Sequence, residues 1–247
     1  MNHMPYLPIL HADEHLIVVD KPAGLLVHRT SLDAHEDLNA LDALRAQLGE
    51  DGPPHLAPAH RLDKGTSGLL VFTTRATAAR ELGQAFDQGQ VQKRYVALVR
   101  GWPEEHIEHD QPLARDPELP STGQVQLPAR TTFQRLGRVE WPFQVGSGHT
   151  SSRYALVEAR PETGRRHQIR RHLKQLSHPI VGDATHGKGP HNRAVAAWLG
   201  GVQRLWLHAA ELHLPHPAGG QLHLVCPPGP AWQQLLEQDG WLEKPAL

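Results

Sequence analysis

Short apolar runs separated by turn-forming residues recur along most of the chain. These runs predict β-strands over residues 15–20, 25–27, 69–72, 92–99, 153–159, 205–214 and 221–225. The last two runs flank the segment 216–220, which contains one proline and two glycines and is typical of a β-hairpin turn. The pattern therefore predicts a protein built mainly on β-strands.

Fewer segments have the spacing of an amphipathic helix. We predict helices over 38–48, from Thr77 to Gly89, from Thr163 through Leu176, and over 231–241. Strands dominate and the helices are irregularly placed, which predicts an α+β fold with a central, mostly antiparallel sheet and flanking helices. Residues 103–150 show no clear pattern and are expected to be an excursion from a single domain spanning residues 1–247.

Composition excludes several classes of protein. Cys226 is the only cysteine among 247 residues, so the chain holds no internal disulfide and no cysteine-based zinc site. The apolar run 16–19 is too short for export or for spanning a membrane, so we expect a cytoplasmic protein. The 19 histidines lack metal-ligand spacing. Four of them crowd near the C-terminus, on strand-like segments and not on one helix face, so we expect no functional metal.

Charge is unevenly distributed although the net charge is −1. Residues 1–59 carry three basic and nine acidic side chains, whereas residues 160–193 carry eight basic and two acidic ones. The second segment predicts a local anion-binding face, and nucleic acid is the leading candidate ligand.

One loop combines a carboxylate with two cations immediately before an apolar strand. Asp63 lies between Arg61 and Lys64, and Gly65 and Gly68 allow the chain to bend tightly. Neighbouring cations favour the ionised form of Asp63. Such a carboxylate can act as a nucleophile, a general base or a metal ligand, but a loop aspartate is more often part of a salt-bridged turn.

A second candidate is the helix expected to open at Thr163. Its first turn would contain Arg165 and Arg166, and cations there oppose the helix macrodipole by about 0.3–1 kcal/mol each. We expect a compensating anion, either a carboxylate held by Arg165 or phosphates reached by the later arginines, although a solvated basic face is the alternative. Tyr95, on a strand among cations, is either a stacking platform or an ordinary tyrosine.

Six collinear motifs resemble the RluA family of pseudouridine synthases. They are His60-Arg-Leu-Asp-x-x-Thr-Ser-Gly-Leu-Leu, Lys21-Pro-Ala-Gly-Leu-Leu-Val-His28, Gln92-Lys-Arg-Tyr-x-Ala-x-Val-x-Gly101, Thr163-Gly-Arg-x-His-Gln-Ile-Arg170, Pro179-Ile-Val-Gly-Asp183, and Leu207-His-Ala209 with His216-Pro217. The chain is most similar to the TruC-type branch, which modifies uridine 65 of tRNA, through residues 27–33, 92–95 and 150–154 and Asp183-x-x-His186-Gly187. Thr73-Thr74 departs from the Ala-Lys common in the family.

The resemblance implies a pseudouridine-synthase fold with a cleft across the sheet, and an enzyme that isomerises uridine in structured RNA. Asp63 would attack a flipped-out uridine at the ribose or the base, Arg165 would pair with Asp63, Tyr95 would stack on the uracil, and Arg61 would fill the vacated space. The other expected RNA-binding residues are His60, Arg166, Arg170, Arg171, Lys174, Lys188 and Arg193. Neither a cofactor nor a protein partner is implied, and no N-terminal RNA-binding domain is expected.

Three alternatives to a tRNA-specific pseudouridine synthase stay open at this stage. In the first, the enzyme is the same but its substrate is rRNA, or both rRNA and tRNA, rather than tRNA alone. In the second, the protein is an aspartate-dependent nucleoside or glycoside hydrolase, although no second carboxylate stands near Asp63 in the sequence to act as general acid. In the third, the protein is a non-catalytic RNA-binding module, although Asp63, Tyr95 and Arg165 are all present.

Overall fold

The computed structural model describes residues 4–29 and 38–245, and its contacts divide the chain into two compact units. The N-terminal unit comprises Met1–Gln92 and Ala209–Cys226, and the central unit comprises Lys93–His208 and Pro227–Leu247. Both units combine strands with helices, which confirms the α+β class. The single catalytic domain and the cleft across its sheet stay predictions.

Strands and helices are numbered in chain order over the described residues. The strands are β1 (Ile9–Ala12), β2 (Leu16–Lys21), β3 (Ala57–Pro58), β4 (Ser67–Thr73), β5 (Gln92–Arg100), β6 (His106–Asp110), β7 (Leu113–Ala114), β8 (Gln126–Leu127), β9 (Arg130–Trp141), β10 (Ser152–Pro161), β11 (Leu207–Pro215), β12 (Gln221–Val225) and β13 (Trp241–Glu243). The helices are α1 (Ala40–Leu48), α2 (Ala76–Asp87), α3 (Gln168–Gln175), α4 (Gly189–Trp198) and α5 (Pro230–Leu236).

The N-terminal unit is built around β4. Every residue of β4 is buried, which explains the continuous apolar run over residues 69–72. Strand β2 pairs with β4 and β1 pairs with β2, both antiparallel. On its other side β4 neighbours β11, to which β12 adds as the predicted hairpin partner. Asn39 caps the N-terminus of α1, and its side chain accepts the Asp42 N–H at 3.0 Å.

Near the start of β4, the backbone at Gly68 lies very close to the backbone of β11. Gly68 has φ +105°, and a Cβ placed there would lie 2.2 Å from the carbonyl oxygen of Ala209 on β11. Any side chain at residue 68 would therefore collide with the neighbouring strand. The glycine lets β4 and β11 close directly behind the loop that carries Asp63.

The central unit contains the strand series β5, β10, β9 and β13, in which β10 pairs with both β5 and β9 and all three pairings are antiparallel. Strand β6 pairs with β9, and β7 pairs with β8. The segment without a predicted structure, residues 103–150, thus supplies four strands. Strand β9 escaped prediction because it contains three arginines and other polar residues, and the alternation of buried with partly exposed positions breaks over Gln134, Arg135 and Leu136.

Several predicted boundaries are wrong. Residues 25–27 form only an isolated bridge at Leu26, not a strand. Thr77 is not the cap of α2, which starts after Arg75. Helix α3 begins at Gln168 and not at Thr163, because His167 has a left-handed backbone conformation with φ 56°. The last helix ends at Leu236, since the chain turns into β13.

The remaining strand predictions are confirmed to within a few residues, whereas α4, β1, β3 and β13 were not predicted. Within residues 4–29 and 38–245, no helix is both long and apolar enough to cross a lipid bilayer. Residues 30–33 of the branch motif lie outside the described residues.

Candidate catalytic site

The loop that carries Asp63 lies in the N-terminal unit, just before β4. The Asp63 side chain is half-buried. The backbone carbonyl of Asp63 accepts the Thr66 N–H at 3.0 Å, which closes a tight turn. Leu62 and Thr66 are buried on either side of the turn, while Arg61 and Lys64 are exposed. The turn thus fixes the Asp63 backbone and leaves its two basic neighbours in solvent.

The buried ammonium group of Lys21 holds this turn through hydrogen bonds to backbone carbonyls. Lys21 is fully buried at the end of β2, and its Nζ donates to the carbonyls of Pro22 at 2.9 Å, Leu25 at 2.7 Å and Lys64 at 3.2 Å. The Gly24 N–H also donates to the Lys64 carbonyl, at 2.9 Å. A charged donor satisfying several buried carbonyls is a strong restraint. Lys21 therefore ties the two motif loops together next to Asp63.

His60, expected to bind RNA, is engaged by the protein itself. Its Nε2 accepts the Val71 N–H at 3.2 Å, and its ring stacks on Phe86 with centroids 5.1 Å apart. These contacts hold the ring against β4 and α2. The side chain acts as a structural support for the Asp63 loop.

Tyr95 lies on β5 in the central unit, directly opposite Ala159 of β10, and is half-buried. Lys93, two residues earlier on the same face of the strand, donates to the Thr163 carbonyl at 3.1 Å. Burial lowers the pKa of Lys93 to about 8. Lys93 therefore joins the strand of Tyr95 to the loop that leads to Arg165.

The Arg165 loop is organised by one buried amide. The Gln168 Oε1 accepts the Thr163 hydroxyl at 2.6 Å and the Arg165 N–H at 3.0 Å. Its Nε2 donates to the Arg130 carbonyl and to the Thr131 hydroxyl, both at 3.0 Å. The Arg165 guanidinium Nε donates to the Pro128 carbonyl at 2.9 Å. The structure thus brings the segments of Tyr95 and Arg165 together within the central unit, and the pairing of Arg165 with Asp63 stays a prediction.

The expectation that the later arginines point to solvent is wrong for Arg170. Its guanidinium is buried and binds both carboxylate oxygens of Asp183, at 2.7 and 2.9 Å. Burial opposes ionisation of Asp183, but the Arg170 guanidinium outweighs it and lowers the pKa of that carboxyl. The pair fixes the segment around Asp183 to α3.

Two other predicted RNA contacts have partners inside the protein. Arg166 pairs with Glu118 and approaches Asp116 to 3.7 Å. Arg171 donates to the Ala114 carbonyl at 2.9 Å. Acidic residues and carbonyls from the segment without a predicted structure therefore occupy part of the basic cluster. The side chains of Arg61, Lys174, Lys188 and Arg193 are exposed.

Residues with a supporting function were missed by sequence reasoning. Lys21, Gln168 and Asp183 all lie within the recognised motifs, but their roles depend on burial. Lys21 gave one usable signal, since a lysine ending an otherwise apolar strand is unusual. Gln168 and Asp183 gave none, because polar residues in loops and helix starts are common.

Comparison with known proteins supports the motif assignment. Residues 15–175 match the family model described as RNA pseudouridylate synthase. The chain belongs to this family. The resemblance inferred from the sequence is thereby confirmed.

Relatives cover nearly the whole chain. It is 43% identical over 244 residues to tRNA pseudouridine synthase C of Vibrio cholerae serotype O1, covering 96% of this chain and 97% of that protein. The protein of the same name from Yersinia pestis is 41% identical over 241 residues, covering 95% of this chain and 91% of that one. Among solved structures, human RNA pseudouridylate synthase domain containing 4 matches with a TM-score of 0.69 and 28% identity, covering 92% and 91% of the two chains.

Replacing Lys21 by methionine tests the anchor beneath the Asp63 loop. We expect the free energy of unfolding to fall by about 3 kcal/mol, because buried carbonyls lose a charged donor, and we expect turnover to fall as the loop shifts. Urea unfolding and an activity assay measure the two effects. The control is Lys244→Met, at an exposed position. Equal stability and activity in both variants would contradict the anchoring role.

Two histidines near the Arg165 loop make the protein sensitive to acid. Burial lowers the pKa of both His172 and His186 to about 4. His172 Nε2 donates to the Gln111 carbonyl at 3.1 Å, so its Nδ1 accepts from the Thr131 hydroxyl at 3.0 Å. Protonation would break the second bond. Between pH 6.5 and about 4 the unfolded state binds more protons than the folded state, so stability falls as the pH falls.

The variant His172→Gln, which keeps a donor and an acceptor, should flatten that decline by at most about 1.4 kcal/mol per pH unit. Urea unfolding at several pH values between 7 and 4.5 gives the slope. His106→Gln, at an exposed histidine of β6, serves as the control. Identical slopes for the parent and His172→Gln would show that His172 does not contribute.

Proposed function

We propose that this protein isomerises uridine 65 of tRNA to pseudouridine. Family membership supports the reaction class, and identity above 40% over nearly full length to proteins named tRNA pseudouridine synthase C supports tRNA as the substrate. The observation that carries the proposal is the combination of this identity with a half-buried Asp63 in a turn fixed by Lys21. A cytoplasmic location accords with a tRNA substrate.

Asp63 acts as the nucleophile. One carboxylate oxygen attacks the target nucleotide while the N-glycosidic bond breaks. The uracil turns and its C5 bonds to the ribose C1′, the bond to Asp63 breaks and frees the carboxylate, and the proton lost from C5 is balanced by one taken up at N1. The reaction rearranges atoms already present, so it needs neither a redox cofactor nor net water. A turn that fixes the backbone at Asp63 suits this step, because an attacking oxygen gains most from being held in position before the substrate arrives.

Tyr95 and Arg165 complete the reacting centre. A uridine in a stem must leave its stack at a cost of a few kcal/mol, and stacking on the Tyr95 ring returns about 1–3 kcal/mol. Arg165 pairs with Asp63 and orients its carboxylate. Arg61, exposed beside Asp63, fills the space that the nucleotide leaves.

The exposed cations bind the RNA backbone. Lys174, Lys188 and Arg193 are exposed members of the basic segment, and they bind phosphates. Arg160 is also exposed, but it pairs with Glu158. Arg166 and Arg171 contribute less, because their partners within the protein must first be replaced. Arg170 supports α3 through Asp183 and does not contact RNA.

The variant Asp63→Asn should abolish turnover and keep tRNA binding nearly unchanged, because it removes the nucleophile without changing shape. A multiple-turnover assay on an unmodified tRNA transcript measures the product, and the same transcript with cytidine at position 65 tests the modified site. Asp87→Asn, at an exposed residue of α2, is the control. Product formation by Asp63→Asn would overturn its role, product from the cytidine transcript would overturn the site, and released free uracil would indicate a hydrolase.

Salt dependence separates the exposed cations from the buried one. Lys174→Ala and Arg193→Ala should each weaken binding to any RNA and reduce the slope of log affinity against log salt by about one. Arg170→Ala should instead lower stability by about 3–5 kcal/mol, because Asp183 is left buried without its partner. Lys244→Ala, outside the basic segment, is the control for charge. An unchanged slope in Lys174→Ala and Arg193→Ala would place these side chains away from the RNA.

A further inference from the structure

Two groups of three metal-ligating side chains occur among the described residues, and both lie in the N-terminal unit. The first consists of His11, Asp13 and His216, and the second of Glu211, His213 and His223. Within each group, one ligand atom from every residue lies within 4.8 Å of the others. Neither group belongs to the candidate catalytic site.

The first group is explained by hydrogen bonds of turns. One oxygen of Asp13 accepts the backbone N–H groups of His15 and Leu16, at 2.7 and 2.8 Å. His216 Nδ1 accepts the Ala218 N–H at 3.1 Å, so the ring proton is on Nε2, which donates to Asp13 at 2.9 Å. A metal at Nε2 would need the opposite tautomer and would break the bond to Ala218. These hydrogen bonds hold the turn at Asp13 and the turn at His216 together.

The second group lies on one face of the β11–β12 hairpin. The strand register places His213 directly opposite His223, and Glu211 precedes His213 by two residues on the same face. The two imidazole rings are stacked, with centroids 3.9 Å apart and an interplanar angle of 12°. Nε2 of His213 and Nε2 of His223 lie 3.0 and 2.7 Å from the same oxygen of Glu211. Three ligand atoms thus converge on one point.

The hairpin does not need these side chains for its core. Leu212, Leu214 and Leu224, on the opposite face, are the buried ones. The side chains of His213 and His223 are 43% and 50% exposed, so an ion can reach their nitrogens from solvent. Core packing therefore gives no reason for two stacked histidines and a carboxylate at these positions.

The spacing of the ligand atoms fits a small tetrahedral cation after a slight opening. Zinc bonds of about 2.0–2.1 Å to nitrogen and oxygen put neighbouring ligand atoms about 3.4 Å apart in a tetrahedron. The two nitrogen–oxygen separations must therefore increase by about half an ångström. Rotation of exposed side chains supplies this change without moving the strands.

We propose that Glu211, His213 and His223 bind a divalent transition-metal cation of the Zn²⁺ type. Two imidazole nitrogens and one carboxylate oxygen are a known donor set for zinc, and water completes the coordination. The bound cation links β11 to β12 and takes no part in the isomerisation. No metal-ligand spacing is visible along the sequence, because ligands from two strands meet only through the register of the hairpin.

Zinc binding by the full-length protein tests the proposal. Competition of Zn²⁺ with a chromophoric chelator at neutral pH gives the number of sites and their affinity for the parent and for His213→Ala/His223→Ala. We expect the double variant to lose one zinc equivalent, or to bind that equivalent at least about tenfold more weakly, since even the loss of a supporting partner costs 10–100-fold. Glu211→Gln should weaken binding and retain both nitrogens.

Two further variants serve as matched controls. His106→Ala removes an exposed histidine beside Glu108 on β6, and His11→Ala removes a member of the first group. Both should bind zinc as the parent does, and zinc should raise the melting temperature of the parent but not of the double variant. The proposal is overturned if the parent and the double variant bind zinc alike, if the parent binds none, or if His11→Ala removes the site.

Discussion

A fully buried ammonium group holds the loop that carries Asp63. Lys21 ends a β-strand whose other residues are mostly apolar, and its charge is surrounded by backbone carbonyls from the turn after β2 and from the Asp63 turn. Burying a charge is costly unless hydrogen bonds replace water. Because the carbonyl of Lys64 is one of these acceptors, the position of the Asp63 turn is set by the same bonds that make the burial of Lys21 tolerable. The strand, the turn and the site loop therefore form one interdependent arrangement.

In the central unit, the loop that carries Arg165 is held by hydrogen bonds between uncharged groups. Gln168 connects Thr163, Arg165 and Thr131, and Thr131 continues the chain of hydrogen bonds to His172. None of these links uses a charged donor, since Arg165 enters the network through its backbone N–H. The Arg165 guanidinium therefore takes no part in the network, and its Nε donates to the Pro128 carbonyl.

Apolar runs were sufficient to predict six of the thirteen strands in the described residues, because strands such as β2, β4, β10 and β11 bury nearly every residue or alternate cleanly. Strand β9 was not predicted, since its buried positions are few and separated by arginine, glutamine and glutamate. The start of α3 was misplaced because Thr163 and Gly164 look like a helix cap. The left-handed conformation of His167 delays the helix to Gln168, and no rule of local sequence indicates it.

A sequence motif can mark a candidate residue by its residue type, but it does not show which partner inside the protein that side chain binds. Motifs marked Asp63, Tyr95 and Arg165 as candidates, and their roles stay predictions. The burial of Arg170 depends on Asp183, which lies thirteen residues later on another segment. The same holds for Arg166, whose partner Glu118 lies in the segment without a predicted pattern. Charge counts along the sequence therefore overestimate how many of the eight basic residues in 160–193 are available to RNA.

The pairing of Arg166 and Arg170 with carboxylates inside the protein affects how RNA is bound. With a net charge of −1, the whole molecule offers little long-range attraction to a polyanion. Attraction must come from exposed cations close to the bound RNA, and the number of them that contact phosphates limits the non-specific, salt-dependent part of the affinity. A larger share of the binding energy then has to come from contacts that only a correctly folded RNA can make. An enzyme that depends on a single uridine in a structured RNA gains selectivity from this balance, because sequences that offer only phosphates are bound weakly.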